Sequence, residues 1–361
     1  LKKLCKQFSF PGGISSHAAP ETPGSINEGG ELGYSLAHAF GAVLDNPNLI
    51  ATVIVGDGEA ETGPLATSWF GNKFINPKTD GTVLPILHLN GFKISNPTVL
   101  SRLSKKKKTI LFNGFVEKPY FVEGEDKMLM HQKMAKAMDL CIKDIEKIKK
   151  SNDDSNIKWP MIILRTPKGW TGPKTVDGKK IEGSFRAHQI PLSIKNEQDL
   201  SELKNWLLSY NPDELFDENY KLKSEIAEIL PKGNKRLTAS IYANGGLLLK
   251  ELKTPPIEKY AVKFEGHGTV KAQDMLELGR YIRDIYTLNN KNKNYRIFSP
   301  DEALSNRLSK VFEVENRKFN CDINLADEFL SKNGRVHDAY LSEHLCEGML
   351  EGYLLTGRHG L

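Results

Sequence analysis

Three stretches of the chain are continuously apolar. Residues 49–55 (LIATVIV) end at Gly56, residues 83–89 are VLPILHL, and residues 161–164 are MIIL. Runs of this length, bounded by turn residues, predict strands that are buried on both faces of a parallel sheet.

Before the first of these strands and between the last two, apolar residues recur at intervals of three and four. The positions with this spacing are Leu32, Leu36, Phe40, Val43 and Leu44, followed by Met134, Met138, Cys141, Ile142, Ile145 and Ile148 within the segment 126–150. They predict two amphipathic helices. Strands that alternate with helices predict an α/β fold with a mostly parallel sheet.

The second half of the chain changes character twice. Residues 196–262 are polar and interrupted by proline, with one short amphipathic helix at 198–208, and we interpret them as a linker. The elements predicted after the linker are a helix at 272–288, a strand at 295–298 and a helix at about 342–354. The pattern therefore predicts a first domain over residues 1–195 and the start of a second over residues 263–361.

Composition and charge narrow the classes of protein. A length of 361 residues predicts about two to three domains. The net charge of +5 is too small to predict nucleic-acid binding, although it suits an anionic small-molecule substrate. Two lysine-rich segments, 105–108 and 143–150, are interpreted as solvated faces.

The sequence favours a cytoplasmic protein. No apolar run approaches the 18 or more residues of a membrane span, and no signal-peptide pattern opens the chain. Cys5, Cys141, Cys321 and Cys346 lie far apart without a CxxC pair, so neither a zinc site nor a disulfide framework is predicted. Because the chain begins with leucine and a helical pattern runs into its end, we expect it to be part of a longer protein.

The strongest chemical signal is the motif Gly56-Asp57-Gly58-Glu59 directly after the first predicted strand. Asn90 follows the next strand, 33 residues after Asp57, which is one strand–helix–strand crossover. Open α/β sheets bind ligands at the carboxyl ends of their strands, and carboxylate and amide oxygens are ligands that Mg²⁺ prefers. The pattern predicts a magnesium site there, with two ordinary turns as the alternative.

Longer motifs narrow the interpretation to one family. They are GSINEGGELGY at 24–34, GDGEAETGPLAT at 56–67, RTPKGW at 165–170, RAHQIPL at 186–192, SPDE at 299–302 and SNRL at 305–308. In this order the chain resembles the xylulose 5-phosphate/fructose 6-phosphate phosphoketolases, thiamine-diphosphate-dependent enzymes of the transketolase superfamily. The resemblance covers the whole chain, which matches only a central part of a family member.

The resemblance implies a thiamine-diphosphate-binding fold, with mostly parallel sheets and helices on both faces. Residues 1–195 would be the diphosphate-binding domain without its N-terminal part, and residues 263–361 the truncated start of the pyrimidine-binding domain. A homodimer is also implied, with the active site between the diphosphate-binding unit of one subunit and the pyrimidine-binding unit of the other.

The resemblance also assigns the cofactor site. Asp57, Asn90 and the backbone carbonyl of Phe92 would hold Mg²⁺, although relatives usually have tyrosine at the last position. The residues that would bind thiamine diphosphate are Gly30, Glu31, Gly56, Asp57, Gly58, Glu59, Asn90, Lys168, His188 and Glu343. Helix N-termini suit such an anion.

The catalytic residues implied are His188, Gln189, His17 and Glu343, and the residues for substrate or phosphate are Ser305, Arg307 and Gln189. Asn27 departs from the family, where histidine is common. Several simpler interpretations stay open. His188 could be a surface residue, His17 a packing residue, and Ser305 a helix cap. Glu347, one turn from Glu343, competes for its role, while His38 and His88 are interpreted as structural.

The reaction implied by the resemblance is cleavage of xylulose 5-phosphate, fructose 6-phosphate or both by inorganic phosphate. The products are acetyl phosphate, water, and glyceraldehyde 3-phosphate or erythrose 4-phosphate. A transketolase-like ketol transferase and a catalytically inactive scaffold are the alternatives, and we expect this piece alone to be inactive. A nicotinamide dehydrogenase is disfavoured because no GxGxxG motif opens a helix.

Overall fold

The computed structural model describes residues 2–152, 157–243 and 246–361. Its α-helices are α1 (Lys2–Gln7), α2 (Ser35–Val43), α3 (Gly63–Ser68), α4 (Val99–Arg102), α5 (Lys105–Gly114), α6 (Lys127–Lys150), α7 (Glu197–Leu208), α8 (Pro212–Leu215), α9 (Ser224–Ile229), α10 (Asp274–Asn289) and α11 (Glu343–Leu355). Its strands are β1 (Ile50–Gly56), β2 (Thr82–His88), β3 (Glu117–Glu123), β4 (Trp159–Arg165), β5 (Thr175–Val176), β6 (Lys179–Lys180), β7 (Tyr295–Phe298), β8 (Arg317–Lys318), β9 (Leu330–Ser331), β10 (Val336–His337) and β11 (His359–Gly360). Within the described residues, no helix has the length and apolar character needed to cross a membrane.

The first sheet is parallel and carries helices on both faces. Its strand order is β1-β2-β4-β3. Leu87 on β2 belongs to the core formed with α2, while its neighbour Ile86 belongs to the core formed with α6. Successive side chains of a strand point to opposite faces, so a central strand with both faces covered must be apolar throughout. The predicted α/β fold class is therefore confirmed.

Strand β1 is buried on one face only, so the prediction that it is buried on both faces was wrong. Val53 and Val55 are buried, whereas Ile50 is 38% exposed and Ile54 is 67% exposed. Within the described residues β1 pairs with β2 alone and lies at the end of the strand order, and α2 covers the face that carries the two valines. A continuous apolar run does not show which strand lies at a sheet edge.

The predicted helix after the glycine pair begins later than its apolar spacing indicated. Leu32 is 58% exposed and lies before α2, which begins at Ser35. Glu59 stabilises the start of α2 at Ser35, because its Oε1 accepts hydrogen bonds from Gly33 N at 3.0 Å and Ser35 Oγ at 2.7 Å. The backbone N–H that leads into the helix is thus satisfied by a side chain far away in sequence.

The lysine-rich segment 105–108 is only partly a solvated face. Lys105, Lys106 and Lys107 are exposed, but Lys108 is buried and donates through Nζ to the carbonyl of Leu103 at 2.6 Å. Burial lowers the pKa of Lys108. The prediction was wrong for this lysine because α5 packs on β3 and turns Lys108 inward.

The second sheet is also built from parallel strands, in the order β11-β7-β10-β8-β9. Helix α10 packs against it, and Ile282 and Ile285 contribute to a core shared with Ile297 of β7 and Val336 of β10. The predicted strand at 295–298 is confirmed, and the predicted helices at 272–288 and 342–354 correspond to α10 and α11.

The two sheets are joined through the close packing of α2 against α11. The helices approach at two glycines of α11: a Cβ added at Gly348 would lie 2.6 Å from Ala37 Cβ, and one at Gly352 would lie 2.0 Å from the carbonyl oxygen of His38. Only glycine allows this approach without a displacement of one helix.

A buried group of charges lies at the same junction. The Asp45 carboxylate pairs with Arg296 at 2.8 Å and with Arg335 at 2.9 Å, and it accepts a hydrogen bond from the Tyr353 hydroxyl at 2.8 Å. Burial by itself would raise the pKa of Asp45, but the two guanidinium groups outweigh it and hold the pKa well below its usual range. Asp45 precedes β1, so this contact ties the first unit to the second.

Glu117, the first residue of β3, is a buried carboxyl group far from the candidate site motifs. Its Oε1 accepts a hydrogen bond from Asn72 Nδ2 at 3.1 Å, while Oε2 has no partner among the described residues. Burial raises the pKa of Glu117 to about 8. At neutral pH the folded protein therefore holds Glu117 protonated.

This group predicts a pH-dependent stability. Between the ordinary glutamate pKa and a pKa of about 8, the folded state binds one more proton than the unfolded state, so the free energy of unfolding falls as pH rises and levels off above pH 8. The fall is expected to be roughly 2–4 kcal/mol. Urea unfolding at pH 5.5 and pH 9 should show it in the wild type and not in Glu117→Gln. Glu146→Gln, on the exposed face of α6, is the control and should follow the wild type. A Glu117→Gln profile parallel to the wild-type profile would contradict the assignment.

Candidate active site

Asp57 of the GDGE motif and Asn90 lie close together, as predicted. Strands β1 and β2 pair in parallel with Gly56 opposite His88, and Asp57 N donates to the carbonyl of His88 at 3.2 Å. Asp57 and Asn90 therefore follow directly after neighbouring strands at the carboxyl edge of the first sheet, which is where such sheets bind ligands.

Asp57 is the buried acid of this edge. Its Oδ2 accepts hydrogen bonds from Gly91 N at 2.7 Å and Thr98 Oγ1 at 2.9 Å, and the residue is 1% exposed. Burial raises the pKa of Asp57, against these two hydrogen bonds. Within the described residues no donor engages Oδ1, which leaves that oxygen available to a cation.

The loop after β2 presents two further oxygens. Asn90 Oδ1 accepts a hydrogen bond from Phe92 N at 3.1 Å, which closes a tight turn. The carbonyl of Phe92 accepts a hydrogen bond from the Lys168 ammonium group at 2.9 Å, and the carbonyl of Lys93 accepts a second one at 3.1 Å. A cation therefore already lies on the carbonyl that the resemblance assigned to the metal.

Lys168 and His188 lie together above the end of β4. Lys168 Nζ is 3.5 Å from His188 Nδ1. Gly169 makes this possible: its φ is +69°, and an added Cβ would lie 2.5 Å from the Cβ of Ala187, next to His188. Burial lowers the pKa of Lys168, and the Asp57 carboxylate opposes that change. His188 and Gln189 are exposed to solvent.

The glycine pair near the N-terminus is also close to a predicted histidine. A Cβ added at Gly30 would lie 3.0 Å from His17 Nδ1, so the ring packs directly on this glycine. The Gly30 N–H donates to the Glu28 carboxylate at 2.8 Å, which shows that this amide can donate to an anionic oxygen. Glu31 is exposed beside it.

Glu59 and Gly58 differ in what they contact. Glu59 is buried, and its Oε1 accepts the hydrogen bonds of Gly33 N and Ser35 Oγ. Its side chain therefore stabilises the start of α2. A Cβ at Gly58 would lie 3.2 Å from Cγ of Lys93, so this turn approaches the loop after β2 closely.

Ser305 and Arg307 lie in the second unit, between β7 and the 3-10 helix Leu308–Glu313. Ser305 Oγ donates to the carbonyl of Glu302 at 2.9 Å and also contacts the Glu302 carboxylate, and Arg307 is exposed. Ser305 caps no helix, because the cap position belongs to Arg307 and has no side-chain hydrogen bond. In the described ranges, no hydrogen bond or ion pair joins these two residues to Asp57 or Lys168.

Glu343 is the first residue of α11 and is exposed, as is Glu347 one turn later. The helix is capped by Ser342, whose Oγ accepts a hydrogen bond from Leu345 N at 3.3 Å and lies 3.2 Å from Thr67 Oγ1. The contact with Thr67 fixes the start of α11 against the first unit.

The structure also shows the hydrogen-bond partners of His38 and His88, the two histidines that were interpreted as structural. His38 is buried between Asn27 Oδ1 at 2.7 Å and Glu351 Oε2 at 2.8 Å. It therefore links α11 to Asn27, the residue at which relatives commonly have histidine. His88 Nε2 pairs with Thr166 Oγ1 at 3.0 Å. Both rings have hydrogen-bond partners within the protein, consistent with structural roles.

Sequence reasoning missed Thr98, which donates to the Asp57 carboxylate, and Lys93, which pairs with Glu61 at 3.0 Å. No motif marks either residue. The sequence signal that could have found Thr98 is its position directly before α4, where a hydroxyl residue is typical of a helix cap. Its side chain makes no capping bond there and turns to Asp57 instead.

The donor set fits a magnesium ion. A carboxylate, an amide oxygen and a backbone carbonyl are hard oxygen ligands, and the Lys168 ammonium on the Phe92 carbonyl shows that this point accepts a positive charge. No cluster of three or more His, Cys, Asp or Glu side chains suited to a metal occurs in the described residues. A metal site at this edge therefore depends on Asn90 and Phe92 as well as Asp57.

Comparison with protein families and with curated proteins gives a consistent result. The model of the XFP N-terminal domain matches residues 1–248, and the model of D-xylulose 5-phosphate/D-fructose 6-phosphate phosphoketolase matches residues 276–361. The chain is 64% identical over 367 residues to "Probable phosphoketolase" of Clostridium acetobutylicum and 57% identical to "Probable phosphoketolase 2" of Lactiplantibacillus plantarum. Both alignments cover 100% of this chain and 46% of the relative, so the chain spans just under half the length of these proteins.

Comparison with solved structures shows the fold. A transketolase from Pichia stipitis in complex with sedoheptulose 7-phosphate aligns with a TM-score of 0.57 at 16% identity, over 94% of this chain and 49% of that one. A transketolase from Campylobacter jejuni aligns with a TM-score of 0.51 at 15% identity, over 94% of this chain and 48% of that one. The fold is therefore the thiamine-diphosphate-binding fold. Together with the family models, these matches identify the chain as a member of the D-xylulose 5-phosphate/D-fructose 6-phosphate phosphoketolase family.

Proposed function

We propose that the full-length protein is a phosphoketolase of carbohydrate metabolism, a carbon–carbon lyase of the cytoplasm. It would cleave xylulose 5-phosphate, fructose 6-phosphate or both with inorganic phosphate. The products would be acetyl phosphate, water, and glyceraldehyde 3-phosphate or erythrose 4-phosphate. The observation that carries the proposal is the continuous set of contacts from Asp57 through the Asn90–Phe92 loop to Lys168 and His188, in a chain of this family.

In this proposal Asp57, Asn90 and the carbonyl of Phe92 hold Mg²⁺ and so fix the diphosphate of thiamine diphosphate. Lys168 and the backbone at Gly30 bind its phosphate oxygens, with Gly56, Gly58 and Glu31 forming the surrounding turns. The contact of the Gly30 N–H with the Glu28 carboxylate supports an anion position there. When bound, the cofactor supplies an electron sink for the carbanion left by carbon–carbon cleavage.

The residues around the reacting carbon handle protons. His188 contacts Lys168 through Nδ1, and within the described residues its Nε2 has no partner, so Nε2 is the atom available to a substrate hydroxyl. Loss of water requires a proton at the departing hydroxyl, which we assign to His188 or His17, and Gln189 orients the neighbouring hydroxyls. Such proton transfer typically contributes 10²–10⁴ in rate.

The second unit completes the site in a homodimer. We propose a diphosphate-binding domain at 1–195, a linker at 196–262 and the start of the pyrimidine-binding domain at 263–361. The first sheet lies within 50–165 and the second within 295–360, which supports this division. Ser305 and Arg307 would bind phosphate, for which the guanidinium fork is suited, and Glu343 would contact the aminopyrimidine ring of a cofactor bound to the other subunit.

The reaction class is tested by the product. The full-length protein with thiamine diphosphate and Mg²⁺ is incubated with xylulose 5-phosphate or fructose 6-phosphate, and acetyl phosphate is trapped as the hydroxamate. We expect acetyl phosphate only when inorganic phosphate is present. Two-carbon transfer to an added aldose without phosphate would instead identify a ketol transferase, and no turnover in either assay would favour a scaffold.

A further inference from the structure

Lys168 makes a contact that its proposed role toward a diphosphate does not explain. Its ammonium group donates to two backbone carbonyls of the loop after β2, at 2.9 Å to Phe92 and 3.1 Å to Lys93. The first of these carbonyls is the one assigned to the metal ion. An ammonium group and a divalent ion repel each other at this distance, so each weakens the binding of the other to one carbonyl oxygen.

The surroundings favour a cation at this point. Asp57 is buried with one carboxylate oxygen bound to Gly91 N and Thr98 Oγ1, and the positive charge of Lys168 acts on that carboxylate. A buried carboxylate is costly without a positive neighbour. Among the described residues, His88 and Lys168 are the basic side chains whose charge acts on Asp57. Of these two, Lys168 is the one that contacts the Phe92 carbonyl, while the nearby Lys93 pairs with Glu61 at the surface.

We propose that Lys168 is a built-in substitute for the metal ion, which holds the Phe92 carbonyl until the diphosphate draws the ammonium group away and Mg²⁺ takes its place. The inference rests on the proposed function, because it takes the Phe92 carbonyl as a metal ligand. It adds that metal and diphosphate bind in a coupled way through one side chain. The diphosphate frees the metal position by pairing with Lys168, and the metal keeps Lys168 on the diphosphate. Each ligand therefore strengthens the binding of the other by the same factor, since linkage between two sites is reciprocal.

The rest of the loop is arranged for this exchange. Gly169 allows the turn that carries Lys168 close to Ala187, and the Gly183 N–H donates to the carbonyl of Lys168 at 2.8 Å. The backbone of Lys168 is therefore held, while its half-buried side chain exchanges the Phe92 carbonyl for a phosphate oxygen when the diphosphate binds. His188 Nδ1, 3.5 Å from Nζ, lies beside this path.

The experiment measures metal binding rather than turnover. Free Mn²⁺, a paramagnetic substitute for Mg²⁺, is titrated by electron paramagnetic resonance with the full-length protein, first without and then with saturating thiamine diphosphate. The variants are Lys168→Met, which removes the ammonium group, and Lys168→Arg, which keeps a positive donor. The matched control is Lys93→Met, which removes a neighbouring charge that does not touch the Phe92 carbonyl.

Without cofactor, we expect Lys168→Met to bind Mn²⁺ at least about tenfold more tightly than the wild type, and Lys168→Arg and Lys93→Met to stay within about threefold of it. With cofactor, the gain in Mn²⁺ affinity should be large in the wild type and at least about tenfold smaller in Lys168→Met. These factors are moderate for a coupling between two sites.

The outcomes separate this inference from the proposed function. Equal or weaker Mn²⁺ binding by Lys168→Met in the absence of cofactor overturns the role of Lys168 and leaves the metal site intact. A tenfold gain in Lys93→Met as well would assign the effect to charge in general and would also overturn it. No Mn²⁺ binding by the wild type even with cofactor would overturn the metal site and the inference together. If Lys168→Met does not fold, Lys168→Gln provides the same comparison with a neutral side chain of similar length.

Discussion

Replacing Asp57 by asparagine is expected to lower kcat/KM for acetyl phosphate formation by about 100-fold or more. Removal of an outer partner of a metal ligand typically costs 10–100-fold in metal affinity or activity, and Asp57 is proposed as a direct ligand. Asparagine keeps an oxygen that can accept the hydrogen bonds of Gly91 N and Thr98 Oγ1, so the loop after β2 stays in place while the charge is lost. The measurement is the initial rate over a magnesium titration.

The matched control for Asp57 is Thr98→Val. It removes one hydrogen bond to the same carboxylate and leaves the charge, so we expect a loss of about tenfold. If Asp57→Asn is instead as active as the wild type at every magnesium concentration, the metal site does not lie at this carboxylate. If the two variants lose activity equally, the activity depends on the position of the loop after β2 rather than on the charge of Asp57.

The second large effect concerns stability. Asp45→Asn is expected to lower the free energy of unfolding by about 3–5 kcal/mol, because it removes the carboxylate that pairs with the buried Arg335 and the nearer of the two that pair with the buried Arg296, which keeps only Asp80 at 3.6 Å. Asparagine is chosen because Asp45 has a φ of +60°, a left-handed conformation that asparagine adopts readily and alanine does not. The change in stability therefore reports the lost charge and not backbone strain.

Urea unfolding of the full-length protein at neutral pH measures this effect. The control is Glu146→Ala, which removes an exposed ion pair with Lys150 on α6 and should cost less than about 0.5 kcal/mol. The wild-type contribution of Asp45 should persist through mildly acidic pH, since its partners hold its pKa well below the usual range, and should be lost only at strongly acidic pH. A loss below about 1 kcal/mol in Asp45→Asn would show that the junction does not depend on this cluster.

Much of the first sheet could be predicted because parallel strands with both faces covered are continuously apolar. Strands β2 and β4 were found for this reason, whereas β3 was not. Its segment EKPYFVE is charged and contains Pro119, and β3 is an end strand of the sheet. Edge strands tolerate charges and proline, so their sequences resemble loops.

The candidate site, like the first sheet, was predicted only in part. The closeness of Asp57 and Asn90 followed from the sequence, because each residue comes just after one of two neighbouring parallel strands, and the carboxyl ends of such strands lie at the same edge of the sheet. The contacts of Lys168 with the Phe92 carbonyl and of Glu59 with the start of α2 did not follow. Each joins residues 24 or more positions apart through side chains whose direction depends on the packing of whole loops.

The sequence by itself determined the α/β class, the central strands, the sheet edge at which Asp57 and Asn90 meet and the family to which the chain belongs. These features depend on local periodicity and on motifs of consecutive residues, which any copy of the sequence displays. Only the tertiary structure decided which lysine contacts the loop after β2, which lysine of 105–108 is buried and which acid pairs with both arginines at the junction of the sheets. Charge pairing and burial depend on which distant segments meet, and that is a property of the folded chain rather than of any one stretch of it.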